Sequence, residues 1–177
     1  MGTERVAEQV VGDGARSRAD RFAPLTGPRA ERWAAYGLWQ EPYFMTHVGI
    51  RVEELRVDYC RMRLPWRQEV MQPAGVAHGG AIATIVDAVV VPAIGSGYDD
   101  PRSFVTVALN IQFMGALVDE DAIAEGWVTQ RGRSIVFCEA EVVGASTGRR
   151  IARGVLTYKV SSKPAGTLSS GVPSPRQ

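Results

Sequence analysis

The stretch "GVAHGGAIATIVDAVVVPAIG", residues 75–95, decides the fold. After the glycine pair Gly79 and Gly80 it continues as an apolar run in which Asp87 is the one carboxylate. A helix formed by this run is apolar nearly all round, so it has to be buried. Burying a carboxylate is costly unless the group is hydrogen-bonded or paired. We therefore predict a buried central helix, in which Asp87 is either a hydrogen-bonding group at an interface or a catalytic acid.

The composition indicates one globular domain. The chain has 177 residues, 45% of them hydrophobic, which is enough for a single core. Residues 1–24 and 162–177 are polar or rich in Ser, Pro and Gly, so we expect flexible tails on either side of a domain at residues 25–161. Lys and Arg (20) nearly balance Asp and Glu (19), and no basic patch alternates with aromatic residues. Nucleic acid is therefore not an expected partner.

The rarity of cysteine and histidine limits the chemistry further. Cys60 and Cys138 lie far apart and the chain has only two histidines, so neither a disulfide framework nor a metal site is expected. The N-terminal stretch has no continuous apolar segment, and the longest apolar run, residues 81–94, is shorter than the roughly 20 residues that span a bilayer. We expect a cytoplasmic protein with neither a membrane segment nor a cofactor.

The segments before and within the central run predict helices. Thr26 and Gly27, with Pro28 in the first turn, mark the start of a short helix that should end near Gly37. Two strand-like runs follow it. Within the central helix, Pro92 lacks the N–H of a regular residue and is expected to kink the helix or end it early.

The sequence after the central helix alternates with a period of two, as strands do. Residues 103–113 predict a half-buried strand. Its predicted apolar side consists of Val105, Val107, Leu109, Ile111 and Phe113. Three more strands, separated by turns of hairpin length, should form an antiparallel meander. The whole pattern predicts an α+β fold in which an antiparallel sheet wraps around one long central helix.

The start of the central helix has the features of an anion site. Unpaired backbone N–H groups and the helix dipole at Gly79 and Gly80 favour negative charge, which suits an oxyanion. The glycine pair could equally serve only a tight turn into the helix. The ring of His78 could likewise cap the core or take part in catalysis.

The residues around the start of the central helix resemble those of a known protein family. The run "AHGGAIATIVDA", with Asp87 nine residues after His78, resembles the hotdog-fold acyl-CoA thioesterases, which include 4-hydroxybenzoyl-CoA thioesterases and phenylacetate-pathway thioesterases. The resemblance extends over about residues 40–160 and includes "VTVALNIQFMGA" and the pair "RGRSIVFCEAEV" and "GRRIARGVLTYKV". It implies the hotdog fold and hydrolysis of an acyl-CoA thioester, with CoA as part of the substrate.

The resemblance also assigns roles at the helix. Asp87 takes the place of the catalytic acid, which acts as general base on water or as nucleophile. Gly79 takes the place of the glycine whose N–H polarises the thioester carbonyl, and His78 and Gly80 lie beside it at the helix start.

Further roles implied by the resemblance lie outside the helix. Gln72 falls where the family has an Asn or Gln that positions the carbonyl or the water, and Thr106 falls near a Ser or Thr that supports the acid. One predicted turn matches a region that lies near CoA in relatives, although a solvated hairpin turn explains it equally well. The residues of this turn are Arg131, Gly132, Arg133 and Ser134.

Helix geometry predicts that the site is shared between two chains. Gly79 and Asp87 are eight residues apart, which is about 12 Å along a helix, too far for both to contact one thioester carbon. If both act, the acid comes from a second copy across a two-fold axis. The resemblance implies the same homodimer, often paired into a homotetramer. Two alternatives remain: a non-catalytic acyl-CoA-binding hotdog protein and a hydroxyacyl-thioester dehydratase.

Overall fold

The fold is an antiparallel sheet wrapped around one long helix, in a computed structural model that describes residues 17–39 and 41–161. Residues 1–16 of the predicted N-terminal tail, and the whole predicted C-terminal tail at residues 162–177, lie outside the described residues. The helices are α1 (Gly27–Trp33), α2 (Phe44–Val48) and α3 (Gly79–Ser96). The strands are β1 (Arg51–Arg56), β2 (Tyr59–Leu64), β3 (Met71–Gln72), β4 (Val76–Ala77), β5 (Phe104–Phe113), β6 (Ala122–Arg131), β7 (Ile135–Gly144) and β8 (Arg150–Val160).

Six strands form the main sheet in the order β1-β2-β6-β7-β8-β5, and every neighbouring pair is antiparallel. The predicted meander is confirmed, because β6, β7 and β8 are consecutive neighbours. The strand that directly follows the central helix, β5, pairs with β8 and forms an edge of the sheet. The short strands β3 and β4 form a separate hairpin just before α3.

The central helix α3 packs against the inner face of this sheet. Two glycines of the sheet allow its close approach: a Cβ at Gly126 would lie 2.7 Å from Val89, and one at Gly154 would lie 2.4 Å from Val86. By length and composition α3 could span a membrane, but most of it is buried as the core of the domain. One side of the helix remains partly exposed to solvent in the single chain, and Asp87 lies on this side.

Helix α3 does not end at Pro92, so the prediction of an early end is wrong. It continues to Ser96, and the residues between them are all buried. Tertiary contacts hold this last turn in place. The Trp33 ring packs directly on Gly95, and the Ser96 hydroxyl donates to the carbonyl of Ala93 at 2.8 Å. This packing compensates for the backbone hydrogen bond that proline cannot make.

A bulge in β5 changes the predicted inner side of this strand. Thr106 pairs with Tyr158, but the next paired residue of β5 is Ala108, so Val107 is an extra residue. An extra residue reverses the alternation of side chains. The inner side is therefore made by Phe104, Thr106, Leu109, Ile111 and Phe113. The predicted inward positions of Val105 and Val107 are wrong, and both side chains are exposed.

The folded part of the chain begins before the predicted boundary at residue 25. Residues 17–24 contain a turn of 3₁₀ helix in which Ala19 is buried. The ring of Phe22 stacks on that of Tyr59, with 5.1 Å between the centroids. Apolar contacts of this kind attach the segment to the sheet, so the part of the predicted N-terminal tail from residue 17 onward belongs to the domain.

Candidate active site

The first residues of α3 form a defined cap. His78 is the N-cap residue, and its Nδ1 accepts a hydrogen bond from the backbone N–H of Gly80 at 2.8 Å. The backbone N–H of His78 donates to the carbonyl of Val70 at 2.8 Å, which fixes the cap against the preceding segment. A Cβ at position 80 would lie 2.9 Å from Nδ1, so glycine is needed there for this contact. The N–H of Gly80 is therefore already hydrogen-bonded within the cap.

The backbone N–H of Gly79 differs from that of Gly80. Gly79 is the first residue of the helix, where an N–H has no partner within the helix, and it makes no hydrogen bond to any other residue described in the structure. A Cβ at Gly79 would lie 3.7 Å from the ring of Phe113, so an apolar side chain adjoins this donor. A donor at the positive end of a helix dipole, beside an apolar wall, can stabilise a developing oxyanion.

Two hydroxyl groups hold the carboxylate of Asp87. Its Oδ1 accepts hydrogen bonds from Thr106 Oγ1 at 3.1 Å and from Tyr158 Oη at 2.5 Å. The Tyr158 hydroxyl also lies 3.1 Å from the backbone carbonyl of Asp87. The other carboxylate oxygen, Oδ2, has no hydrogen-bond partner within the described part of the chain. One oxygen therefore orients the group, and the second is available to a ligand.

Tyr158 is a site residue that the sequence did not predict. Burial raises the pKa of its hydroxyl, and the hydrogen bond to Asp87 raises it further, so the group remains a donor at neutral pH. Tyr158 on β8 lies directly opposite Thr106 on β5. This pairing follows from the strand register and the bulge at Val107, which alternation along a single strand cannot indicate.

Asp87 opens into an apolar cleft of about 360 Å³. Apart from Asp87, the cleft is lined by Phe44, Met45, Ala83, Thr84, Ala88, Val91 and Leu109. A second cleft of about 400 Å³ lies next to it and contains His78 and Gly80. Phe44 and Thr84 line both clefts, so the acid and the helix start face adjoining parts of one surface. An apolar cleft with a few polar groups is the usual form of a small-molecule site.

Within one chain the structure does not bring all the predicted site residues together. Gly79 and Asp87 lie on the same helix, about 12 Å apart along its axis. Gln72 lies in the β3–β4 hairpin, where it pairs with Val76, and it is not among the residues that line the Asp87 cleft. Thr106, by contrast, lies within hydrogen-bond distance of Asp87.

Arg131, predicted to contact CoA, has structural partners inside the domain. Its guanidinium contacts the carboxylate of Asp58, donates to the carbonyl of Ile94 at 3.0 Å and lies 4.3 Å from the ring centre of Tyr98. It therefore binds the C-terminal end of α3, where carbonyl groups are left without helical partners. This is the opposite end of the helix from Gly79.

The rest of the predicted CoA segment forms the turn between β6 and β7. The Gly132 N–H donates to the carbonyl of Ile135, and the Val160 N–H donates to that of Ser134, both at 2.8 Å. The side chain of Arg133 is exposed. Within the described ranges, no group of three or more His, Cys, Asp and Glu side chains could hold a metal ion.

Comparisons with known proteins find sequence similarity to thioesterases. Residues 74–150 match the thioesterase superfamily. The human acyl-coenzyme A thioesterase 13 is 29% identical over 96 residues, which span 54% of this chain and 66% of that relative, just under two thirds.

Solved structures show the same fold. The PaaI protein of the Escherichia coli phenylacetic acid degradation operon matches with a TM-score of 0.67 at 14% identity, over 77% of this chain and 96% of that one. A hypothetical thioesterase protein from Streptococcus pneumoniae, solved with coenzyme A, has a TM-score of 0.60 and 19% identity, over 66% of this chain and 89% of that one.

Residues 74–150 thus resemble the thioesterase superfamily, and the fold of the chain is the predicted α+β hotdog fold. The resemblance found in the sequence is thus confirmed. The human relative is by its name an acyl-coenzyme A thioesterase, which is the enzyme class that the sequence predicted.

Proposed function

We propose that the protein hydrolyses an acyl-CoA thioester at a site shared by two copies of the chain. This proposal rests on the way in which the Asp87 carboxylate is held. One of its oxygens is held by two hydroxyl groups, and the carboxylate lines an apolar cleft that can take an acyl group. A carboxylate oriented in this way can act on water or on a carbonyl carbon.

The exposed edge of the sheet supports the dimer. Strand β5 has 10 residues and pairs with β8 alone among the described strands. Its exposed apolar side chains include Val105 at 64%, Val107 at 59% and Phe113 at 57% exposure. A long apolar edge strand favours pairing with another chain. Antiparallel pairing of two β5 strands across a two-fold axis would set the two α3 helices antiparallel, with Asp87 of one copy toward Gly79 of the other.

The reaction then follows from these groups. The Gly79 N–H donates to the thioester carbonyl oxygen and stabilises the charge that develops there. Asp87 removes a proton from water as the water oxygen attacks the carbonyl carbon, the C–S bond breaks, and the sulfur leaves as CoA thiolate or takes up that proton. Attack by the carboxylate itself on the carbonyl carbon would instead break the C–S bond, release CoA thiolate and form an anhydride, which water then hydrolyses to the free acid and the Asp87 carboxylate. Neither route requires a cofactor.

The proposal also includes the carrier of the acyl group and the cellular location of the protein. The pneumococcal relative solved with coenzyme A supports CoA as the carrier. Gly132, Arg133 and Ser134 are candidates to contact it, since the Arg133 side chain is exposed at the β6–β7 turn. We place the protein in the cytoplasm, and expect a homodimer that can pair further into a tetramer, which light scattering would measure.

Two substitutions at Gly79 test the oxyanion donor. Gly79→Pro removes the backbone N–H at a position where proline fits a helix start, and the extended backbone of His78 (φ −66°, ψ 136°) suits the residue before a proline. Gly79→Ala keeps the N–H, and its Cβ would make only an ordinary contact at 3.7 Å. We expect the proline variant to be slower than the alanine variant by about a hundredfold in kcat.

The assay is thiol release from a panel of acyl-CoA substrates, with Asp87→Asn as a further variant. We expect at least one substrate to be hydrolysed by the wild type and its rate to be largely lost in Asp87→Asn, with the fold retained by circular dichroism. Equal rates for Gly79→Pro and Gly79→Ala would contradict the role of the N–H. No turnover of any substrate, with acyl-CoA raising the melting temperature, would indicate the binding protein instead of the enzyme.

A further inference from the structure

Another cavity, distinct from the cleft at His78, lies beyond the Asp87 cleft along the same side of helix α3. It has a volume of about 280 Å³, and its lining includes the aromatic side chains of Trp33, Tyr36, Trp39 and Phe104. Val91 lines the Asp87 cleft and Gly95 lines this aromatic pocket. Asp87, Val91 and Gly95 are spaced by four residues, so they share one side of the helix at steps of about 6 Å. The cleft and the aromatic pocket therefore follow one another along the same helix.

One contact lies between the two cavities. Tyr36 lines the aromatic pocket and Met45 lines the Asp87 cleft, and the Tyr36 hydroxyl lies 3.8 Å from the sulfur of Met45. Burial raises the pKa of the Tyr36 hydroxyl, and the interactions with Cys60 and with the Asp87 carboxylate raise it further, so the hydroxyl is neutral at neutral pH.

Packing fixes the position of the Tyr36 ring. Its centroid lies 4.9 Å from the centroid of Trp33 and also 4.9 Å from that of Trp39. Trp33 is in turn held against α3, because a Cβ at Gly95 would lie 1.9 Å from its ring. Aromatic pairs at these distances are favourable contacts. Tyr36 is therefore a fixed wall and not a side chain that moves readily out of the way.

We propose that Tyr36, together with Met45, closes the far end of the acyl cleft and restricts the enzyme to short acyl groups. A longer chain would have to extend from the carbonyl at Asp87 into the aromatic pocket, and the Tyr36 ring stands in that path. Tyr36 is thus a specificity-determining residue. This inference rests on the proposed function and adds to it the size of the substrate.

The test is a comparison of kcat/KM for acetyl-, butyryl-, hexanoyl-, octanoyl- and decanoyl-CoA. In Tyr36→Ala the two cavities join, so we expect kcat/KM for decanoyl-CoA relative to butyryl-CoA to rise by about tenfold or more, mainly through a lower KM for the long substrate. Tyr36→Phe keeps the ring and removes only the hydroxyl, so its preference should stay close to that of the wild type.

Tyr43→Ala is the matched control. Tyr43 belongs to the same aromatic row, with its centroid 5.5 Å from that of Trp39, but it is 53% exposed and lines neither cavity. Its substitution should leave the chain-length preference unchanged. Met45→Ala opens the same boundary from the other side, and it provides the test if Tyr36→Ala does not fold.

The outcomes separate this inference from the proposed function. Absence of turnover by the wild type contradicts the proposed function and this inference with it. A wild type that already prefers decanoyl-CoA, or an unchanged preference in folded Tyr36→Ala and Met45→Ala, contradicts the inference alone. A shift of the same size in Tyr43→Ala would also overturn it, because the effect would then not depend on the boundary between the cavities.

Discussion

Tyr158→Phe tests whether the hydroxyl groups around Asp87 prepare it for catalysis. The substitution keeps the buried ring and removes the hydroxyl that lies 2.5 Å from Oδ1, which leaves the Thr106 hydroxyl at 3.1 Å as the remaining donor. A hydrogen bond to a charged group contributes about 1.5–3 kcal/mol. If this bond holds the carboxylate in its reactive orientation, the same energy corresponds to a loss of about ten- to a hundredfold in kcat.

Tyr59→Phe is the matched control for this prediction. Tyr59 is also buried, and its hydroxyl donates to the carboxylate of Glu125 at 2.8 Å, on the β2–β6 side of the sheet. Both variants should lower the midpoint of urea unfolding, because each loses a hydroxyl–carboxylate bond. Only Tyr158→Phe should lower kcat for thiol release. An unchanged kcat in Tyr158→Phe, or an equal loss of kcat in Tyr59→Phe, would refute the reasoning.

Three further predictions concern stability. Gly80→Ala places a Cβ 2.9 Å from the ring of His78 and should disrupt the helix cap, at a cost of about 1 kcal/mol in the free energy of unfolding measured with urea. Gly154→Ala places a Cβ 2.4 Å from Val86 and should destabilise the domain by about 1–3 kcal/mol in the same assay, since α3 can no longer lie as close to the sheet. Hydrogen bonds from a threonine hydroxyl and neighbouring backbone N–H groups lower the pKa of Glu120. Its stabilising effect is present above the usual glutamate pKa and is lost as the pH falls through the lowered value, so unfolding midpoints of Glu120→Gln should depend less on pH in this acidic range than those of the wild type.

The central helix and the meander could be predicted because both depend on local patterns. Apolar residues on nearly every side of residues 81–94 indicate a buried helix. Short turns between alternating runs indicate neighbouring antiparallel strands. Asp87 could be singled out in the same way, because one carboxylate in a buried helix needs a partner.

The partners of Asp87 could not be predicted in full, because they depend on contacts between distant strands. The pairing of Thr106 with Tyr158 requires the register of β5 against β8, and the bulge at Val107 changes which residues face inward. A bulge has no clear sequence signal when its extra residue is a valine, which is otherwise favoured in strands. Strict alternation therefore assigned Val107 to the wrong side.

The packing at the C-terminal end of α3 could not be predicted from the sequence either. The helix passes Pro92 because Trp33 and other distant residues bury its last turn. Arg131 binds that same end of the helix, a role that follows from the position of β6 in the sheet and not from the turn in which the residue lies. A turn rich in arginine gives no local indication of which arginine points into the domain.

The most direct test of the account is subunit complementation between Asp87→Asn and Gly79→Pro. Each variant alone lacks one half of every shared site and should have little thioesterase activity. After unfolding and refolding together at equal concentrations, half of the dimers should contain both variants. Each mixed dimer then has one intact site, so the mixture should have about a quarter of the wild-type rate of thiol release. A mixture no more active than the two separate variants, with mixed dimers shown by mass spectrometry, would contradict the shared site.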